Sequence, residues 1–248
     1  MGQTTRNDGT ETRAGSIRAW GVRLFRVVTG WWRTFNAREY WESRHSATAG
    51  QLRATGHIQL NEQENEADYR AKREQIVDAL KRHCPDSTGR TLLDAGCGTG
   101  IFTASFVDMG FAVTGVDFSA TAVESARRRT QANFLVADLV EMRLNQKYDV
   151  IASVDVLFHV VDDRAWRKAL GTLGIHLRQG GLMLIQEHLI DPTSSGATGR
   201  QGHVHFRSLE KYRRALDALR MRITYQHRYE LPSERSWKNI LILEHAPA

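Results

Sequence analysis

The residues with the clearest chemical purpose lie between Thr91 and Gly100. There an aliphatic run leads straight into Asp94-Ala95-Gly96-Cys97-Gly98-Thr99-Gly100. Glycines at every second position let a backbone turn tightly and approach a ligand closely, leaving the amides that open the next helix pointing at it. A dinucleotide fingerprint would read G-x-G-x-x-G and a phosphate loop G-x-x-x-x-G-K. The spacing here is G-x-G-x-G without lysine, so nothing points to a cradled pyrophosphate. Asp117 ends a second apolar run, where a doubly wound fold sets a carboxylate on a ribose. Asp138 follows a third run and can accept from an adenine amino group. Any one of these acids could simply cap a helix. Three strand ends converging on one sheet edge describe a nucleoside site.

These residues are carried by a strict alternation of short apolar runs and helical patterns. Strands are predicted at Thr91–Asp94, Ala112–Asp117, Phe134–Ala137, Val150–Val154 and Leu182–Gln186, and helices at Ile101–Met109, Ala120–Arg129 and Arg164–Leu177. Such alternation implies a parallel sheet with helices on both faces. A polar helix from Asn61 to Arg82 precedes it, with Tyr69, Ile76, Val77 and Leu80 at apolar spacing and Cys84, Pro85 and Gly89 closing it. After it come a helix at Leu209–Leu219 and strands at Arg222–Tyr229 and Lys238–Leu243, a terminal antiparallel pair that closes the sheet.

On LLDAGCGTG (92–100), Asp117, Asp138 and the turn Leu177-Arg178-Gln179-Gly180-Gly181, the chain resembles the class I S-adenosylmethionine-dependent methyltransferases over about residues 75–190. Gln179 stands where that family usually has proline. The resemblance implies an α/β fold: a Rossmann-like, doubly wound, mostly parallel seven-stranded sheet with an antiparallel C-terminal hairpin and an N-terminal helical extension. It implies S-adenosylmethionine as cofactor, with Asp94, Gly96, Cys97, Gly98 and Gly100 around its methionine part. Asp117, Phe118 and Ser119 would hold the ribose, Asp138 and Leu139 the adenine, with Ser153 at the fourth strand end completing the site. Trp41, in Tyr40-Trp41-Glu42-Ser43-Arg44, resembles an entry segment that covers the cofactor. Cys97 is expected to be a small filler, not a nucleophile.

Methyl transfer is an in-line displacement, so a hydroxyl acceptor must be positioned and must lose its proton. The segment after the fourth strand, Ser153-Val154-Asp155-Val156-Leu157-Phe158-His159, should pass beside the reacting methyl. His159 is the first candidate for the base, because imidazole works near neutral pH with little perturbation; a structural histidine bonding the next helix is the alternative. Asp155 would act in its place or orient it. Glu187 and His188 end the fifth strand on the same edge. His203 and His205 would face opposite sides of an extended segment, so one metal would not take both. One of them with Asp155, Asp162, Asp163 or Glu187 could hold a divalent ion such as Mg2+ that orders sugar hydroxyls. Such oxygen-rich clusters are usually solvated, and no metal ligand is assigned.

The acceptor is narrowed by missing motifs. No Asp/Asn-Pro-Pro-aromatic follows the fourth strand, both cysteines precede it, and no RNA-binding module is recognisable. Nucleic acid is therefore an unlikely partner. The runs Asp155–Asp163 and His205–Leu209 resemble those of small-molecule and glycan O-methyltransferases, which implies a hydroxyl acceptor, with a sugar or glycan ahead of a secondary metabolite. An N-methyltransferase of RNA or protein is the alternative within enzymes. Outside enzymes, the alternative is a silent cofactor-binding subunit that docks a partner or membrane.

Composition is that of a globular domain, 41% hydrophobic and 25% charged. Two cysteines make no disulfide framework, so a cytoplasmic setting is expected. The net charge of +6 is uneven: nine arginines face four acids in residues 1–55 and ten basic residues face five acids in 197–248, whereas the middle is acidic. Residues 1–14 read as a mobile tail, 15–60 as a basic amphipathic helix with a cap or lid, and 61–248 as the methyltransferase domain. In the helix, Ile17, Trp20, Leu24, Val27, Val28 and Trp31 fall opposite Arg18, Arg23, Arg26 and Arg33. Four arginines exclude a membrane span. The apolar face either packs on the enzyme body or lies in a membrane interface through residues 17–33. Oligomeric state is not legible.

Overall fold

The computed structural model describes residues 36–48, 51–191, 200–233 and 236–247. The expected tail at 1–14, the helix at Ile17–Arg33 and most of the Thr193–Gly202 loop lie outside them. The described chain opens with α1 (Ala37–Ala47), a short 3-10 turn at Leu52–Ala54 and α2 (Glu62–His83). Then come β1 (Thr91–Ala95), α3 (Ile101–Asp108), β2 (Ala112–Asp117), α4 (Ala120–Arg129), β3 (Asn133–Val136) and β4 (Tyr148–Val154). A 3-10 turn at Leu157–His159 leads to α5 (Asp163–His176) and β5 (Leu177–Glu187). Four two-residue strands follow: β6 (Leu189–Ile190), β7 (Arg200–Gln201), β8 (Val204–His205) and β9 (Arg207–Ser208). The chain ends with α6 (Leu209–Ala218), β10 (Met221–Glu230) and β11 (Trp237–His245).

Seven strands form one sheet in the order β10-β11-β5-β4-β1-β2-β3. β1 to β5 run parallel, and β11 is antiparallel to both β5 and β10. This is the Rossmann-like arrangement with a C-terminal antiparallel hairpin that the sequence implied. Side chains alternate across a strand, so Leu92 and Leu93 enter opposite cores. Leu93 joins Ile151, Trp166, Leu170 and Met183 on one face, while Leu92 joins Ile76, Phe106, Val150 and Ile240 on the other. Each such aliphatic residue contributes about 1.5–3 kcal/mol by leaving water.

Local signals start the helices where the site needs them. Asn61 and Glu64 make a reciprocal capping box at α2, and the Ser119 and Asp162 side chains cap α4 and α5. The turn expected before the fifth strand is absorbed into β5. Leu177 pairs with Tyr148 and Leu182 with Val150, so residues 178–181 bulge from the ladder. Gly181 allows this: a Cβ there would meet the Asp149 carbonyl oxygen at 2.7 Å. Among the described residues, no helix is long and apolar enough to cross a membrane.

Candidate active site

A cavity of about 300 Å³ opens at the carboxyl ends of β1, β2 and β4. Its first wall is backbone. Gly96 and Cys97 both donate their N–H groups to the Val116 carbonyl (2.7 and 3.0 Å), folding the loop back over β2. Gly96 has φ +82°, and a Cβ would run into the Val156 methyls, so no other residue fits. The Gly98 and Ser119 N–H groups donate to the two oxygens of Asp117 at 3.0 and 2.9 Å. Burial raises the Asp117 pKa against those two bonds. Each oxygen keeps lone pairs for a ligand. Asp138 accepts the Val140 N–H at 2.9 Å, and Arg38 lies 3.7 Å from its other oxygen.

Of the predicted cofactor residues, Trp41, Gly96, Cys97, Gly98, Asp117, Phe118, Asp138 and Leu139 line this cavity. Four others, Asp94, Gly100, Ser119 and Ser153, are not among the residues that line it. Asp94 accepts the Thr103 hydroxyl at 2.6 Å beneath α3, where burial pushes its pKa up to about 7. Gly100 opens α3 against Ala126. Ser119 caps α4, and the Ser153 hydroxyl is buried within β4.

The second wall is side chain. Asp155 leaves β4 at φ +55° and takes Lys72 and Lys238 ammonium groups at 2.7 and 2.8 Å. Burial alone would raise its pKa, but the two cations outweigh that and hold it well below the usual carboxylate range. Paired with two cations, it ties the turn that follows to α2 and β11. Glu187 does not line the cavity. It is buried, accepts the Leu157 N–H at 2.9 Å, and is pushed up to about 8 by burial and by the charge of Asp155. His188 lies against the Phe206 ring, 4.5 Å between centroids, and also off the wall.

His159 does line the cavity. Its Nδ1 is 3.2 Å from the His203 carbonyl oxygen, which can only accept. Nδ1 therefore carries the proton and Nε2 the lone pair. Trp41 meets the ring edge-on at 4.6 Å, and His203 stacks on it at 5.5 Å. Burial lowers the His159 pKa to about 3, so the ring is neutral at physiological pH. His203 sits in the turn of the β7–β8 pair, and His205 turns away to the Val161 carbonyl at 2.9 Å, so the two histidines go to separate partners. Among the described residues, no group of three or more His, Cys, Asp or Glu is arranged to hold a metal.

Several wall and support residues escaped sequence reading: Arg38, His45, Thr55, Tyr69, Lys72, Phe102 and Lys238. One signal was present. Tyr69, Lys72, Ile76 and Leu80 share one face of α2, so a lysine interrupts an apolar stripe and needs a buried partner.

Compared with known families, residues 67–243 match the Methyltransferase domain family. The chain belongs to that family. This methyltransferase domain is 31% identical over 103 residues to a ubiquinone biosynthesis O-methyltransferase of Bradyrhizobium sp. (strain ORS 278), 40% of each chain. A protein of the same name from Glaesserella parasuis is 32% identical over 108 residues, 39% of this chain and 44% of the relative. The chain spans about two fifths of the length of these curated relatives. Among solved structures, magnesium protoporphyrin IX methyltransferase from Synechocystis PCC 6803 with bound S-adenosylmethionine aligns with TM-score 0.68 at 17% identity. It covers 86% of this chain and 99% of that one. The Burkholderia thailandensis 1,6-didemethyltoxoflavin-N1-methyltransferase aligns with TM-score 0.63 at 19% identity, covering 85% and 87%. At these identities the neighbours speak for the fold.

S-adenosylmethionine fits the residues present. The glycine turn brings bare backbone to the cavity wall, Asp117 offers carboxylate lone pairs, and Phe118 and Leu139 supply apolar walls beside the acceptor Asp138.

Proposed function

We propose that this chain is an S-adenosylmethionine-dependent O-methyltransferase acting on a hydroxyl of a small, flat, apolar molecule. When bound, the cofactor supplies an electrophilic methyl group on a sulfonium. Gly96, Gly98, Asp117, Phe118, Asp138 and Leu139 hold it. The observation that carries the reading is the tautomer of His159: Nδ1 is fixed as donor by the His203 carbonyl, so Nε2 is left as an acceptor on the cavity wall.

His159 Nε2 takes a hydrogen bond from the acceptor hydroxyl and orients its oxygen. A ring with so low a pKa does not ionise a free hydroxyl. The oxygen, however, turns positive as its bond to the methyl forms, and its proton becomes strongly acidic at that moment. A neutral, pre-oriented imidazole then suffices to receive it. Trp41 and His203 fix the ring, and the Asp155–Lys72–Lys238 cluster fixes the turn that carries it.

Trp41, Tyr69, Phe102, Val154 and Val156 surround the remaining space, which suits an aromatic hydroxyl better than a sugar or glycan. The O-methyltransferase names of the curated relatives support the same atom type. The test is a panel of phenols, mono- and oligosaccharides and amines with S-adenosylmethionine, with products located by mass spectrometry. Methylation of phenolic oxygen is expected. Methylation confined to saccharides or to nitrogen would overturn the reading.

A further inference from the structure

Helix α1 roofs the cavity, and it is tied by side chains to the loop after β2 and the first turn of α4. Arg38 donates to the Phe118 carbonyl at 3.1 Å, and Thr121 donates its hydroxyl and N–H to Glu42. His45 makes the third tie, with Nδ1 2.9 Å from Ser119 Oγ. The imidazole is 4% exposed, and it forms part of the cavity wall. Its Nε2 is buried and meets no hydrogen-bond partner among the described residues.

Ser119 Oγ also accepts the Ala122 N–H at 3.1 Å. Burial and the charge of Arg44 lower the His45 pKa to about 4, so the ring is neutral at physiological pH, with Nδ1 engaged by Ser119 and Nε2 left over in either tautomer. A buried polar atom without a partner is disfavoured unless a ligand supplies one.

Asp117 is tied to the same serine, through the Ser119 N–H at 2.9 Å. An imidazole nitrogen and a carboxylate on one cavity suit a ligand with two hydroxyls. We infer that His45 is a cofactor-positioning residue that hydrogen-bonds one ribose hydroxyl while Asp117 accepts from the other. This rests on the S-adenosylmethionine reading above.

Calorimetry with S-adenosylhomocysteine and its 2′-deoxy and 3′-deoxy analogues tests it. His45→Ala should weaken S-adenosylhomocysteine about tenfold, the size of one lost buried hydrogen bond. One of the two deoxy analogues should lose less than twofold, because the bond is already absent from it. Comparing ligands within one variant cancels any change in how α1 packs. An equal loss for all three ligands, or no loss, would overturn the inference. If the wild-type chain failed to bind S-adenosylhomocysteine at all, the cofactor reading itself would fall.

Discussion

The two halves of the cavity are built by different means. The glycine-loop half is made of residues close in sequence whose backbone groups do the positioning: Gly96, Cys97 and Gly98 fold onto Val116 and Asp117, and Ser119 closes the ring of bonds. The acceptor half is made of side chains gathered from the whole chain. Asp155 meets Lys72 from α2 and Lys238 from β11, while His159 meets Trp41 from α1 and His203 from the β7–β8 turn. A backbone-built site tolerates change in its surroundings but not in its own turn. A side-chain-built site depends on distant partners, and through them on the fold itself.

That contrast is open to direct attack. The largest effect is expected from Asp155→Ala, which leaves two ammonium groups buried without their counter-ion, the lysines being 7% and 6% exposed. Breaking a buried pair by removing one partner costs about 3–5 kcal/mol, which urea denaturation would read. A loss below about 1 kcal/mol would mean that the acceptor half is not held by this cluster.

Next in size is Asp117→Ala in the other half. It takes the acceptor from the Gly98 and Ser119 N–H groups but leaves no buried charge unpaired, so S-adenosylhomocysteine should bind about a hundredfold more weakly by calorimetry while stability falls less than in Asp155→Ala. A fall in stability as large as that of Asp155→Ala would erase the distinction between the halves.

The smallest effect is expected at Glu187. Its folded pKa, about 8, lies above the usual value of 4.5. The folded chain therefore holds a proton that the unfolded chain has released, and the stability gained is complete below about pH 4.5 and lost as pH rises through about 8. Glu187→Gln mimics the protonated form and keeps an acceptor for the Leu157 N–H. Its melting temperature relative to the wild type should rise by a few degrees between pH 5 and pH 8.5. A difference that does not change with pH would show Glu187 to be ionised throughout.

The same contrast explains what the sequence could disclose. The glycine spacing, Asp117 and Asp138 are local signals, because strand, turn and helix follow one another within a few residues; the parallel sheet with helices on both faces followed from their alternation. Four residues beside them, Asp94, Gly100, Ser119 and Ser153, do not line the cavity and are tied into the elements around it. In the acceptor half, His159 and Asp155 lie on the wall and Glu187 and His188 do not. Asp155, Glu187 and His188 share its sheet edge, yet their roles are set by Lys72, Lys238, Leu157 and Phe206, which sequence spacing does not bring together. Lys72 alone announced itself, as a cation in an apolar stripe.

The most direct test of the division of labour compares His159→Ala with the wild type in one preparation, measuring S-adenosylhomocysteine affinity by calorimetry and turnover on a phenolic acceptor. Affinity should stay within about threefold while turnover falls at least about a hundredfold, the range expected for loss of a proton acceptor. Equal losses in both would make His159 a structural element of the whole cavity, and unchanged turnover would remove it from the chemistry.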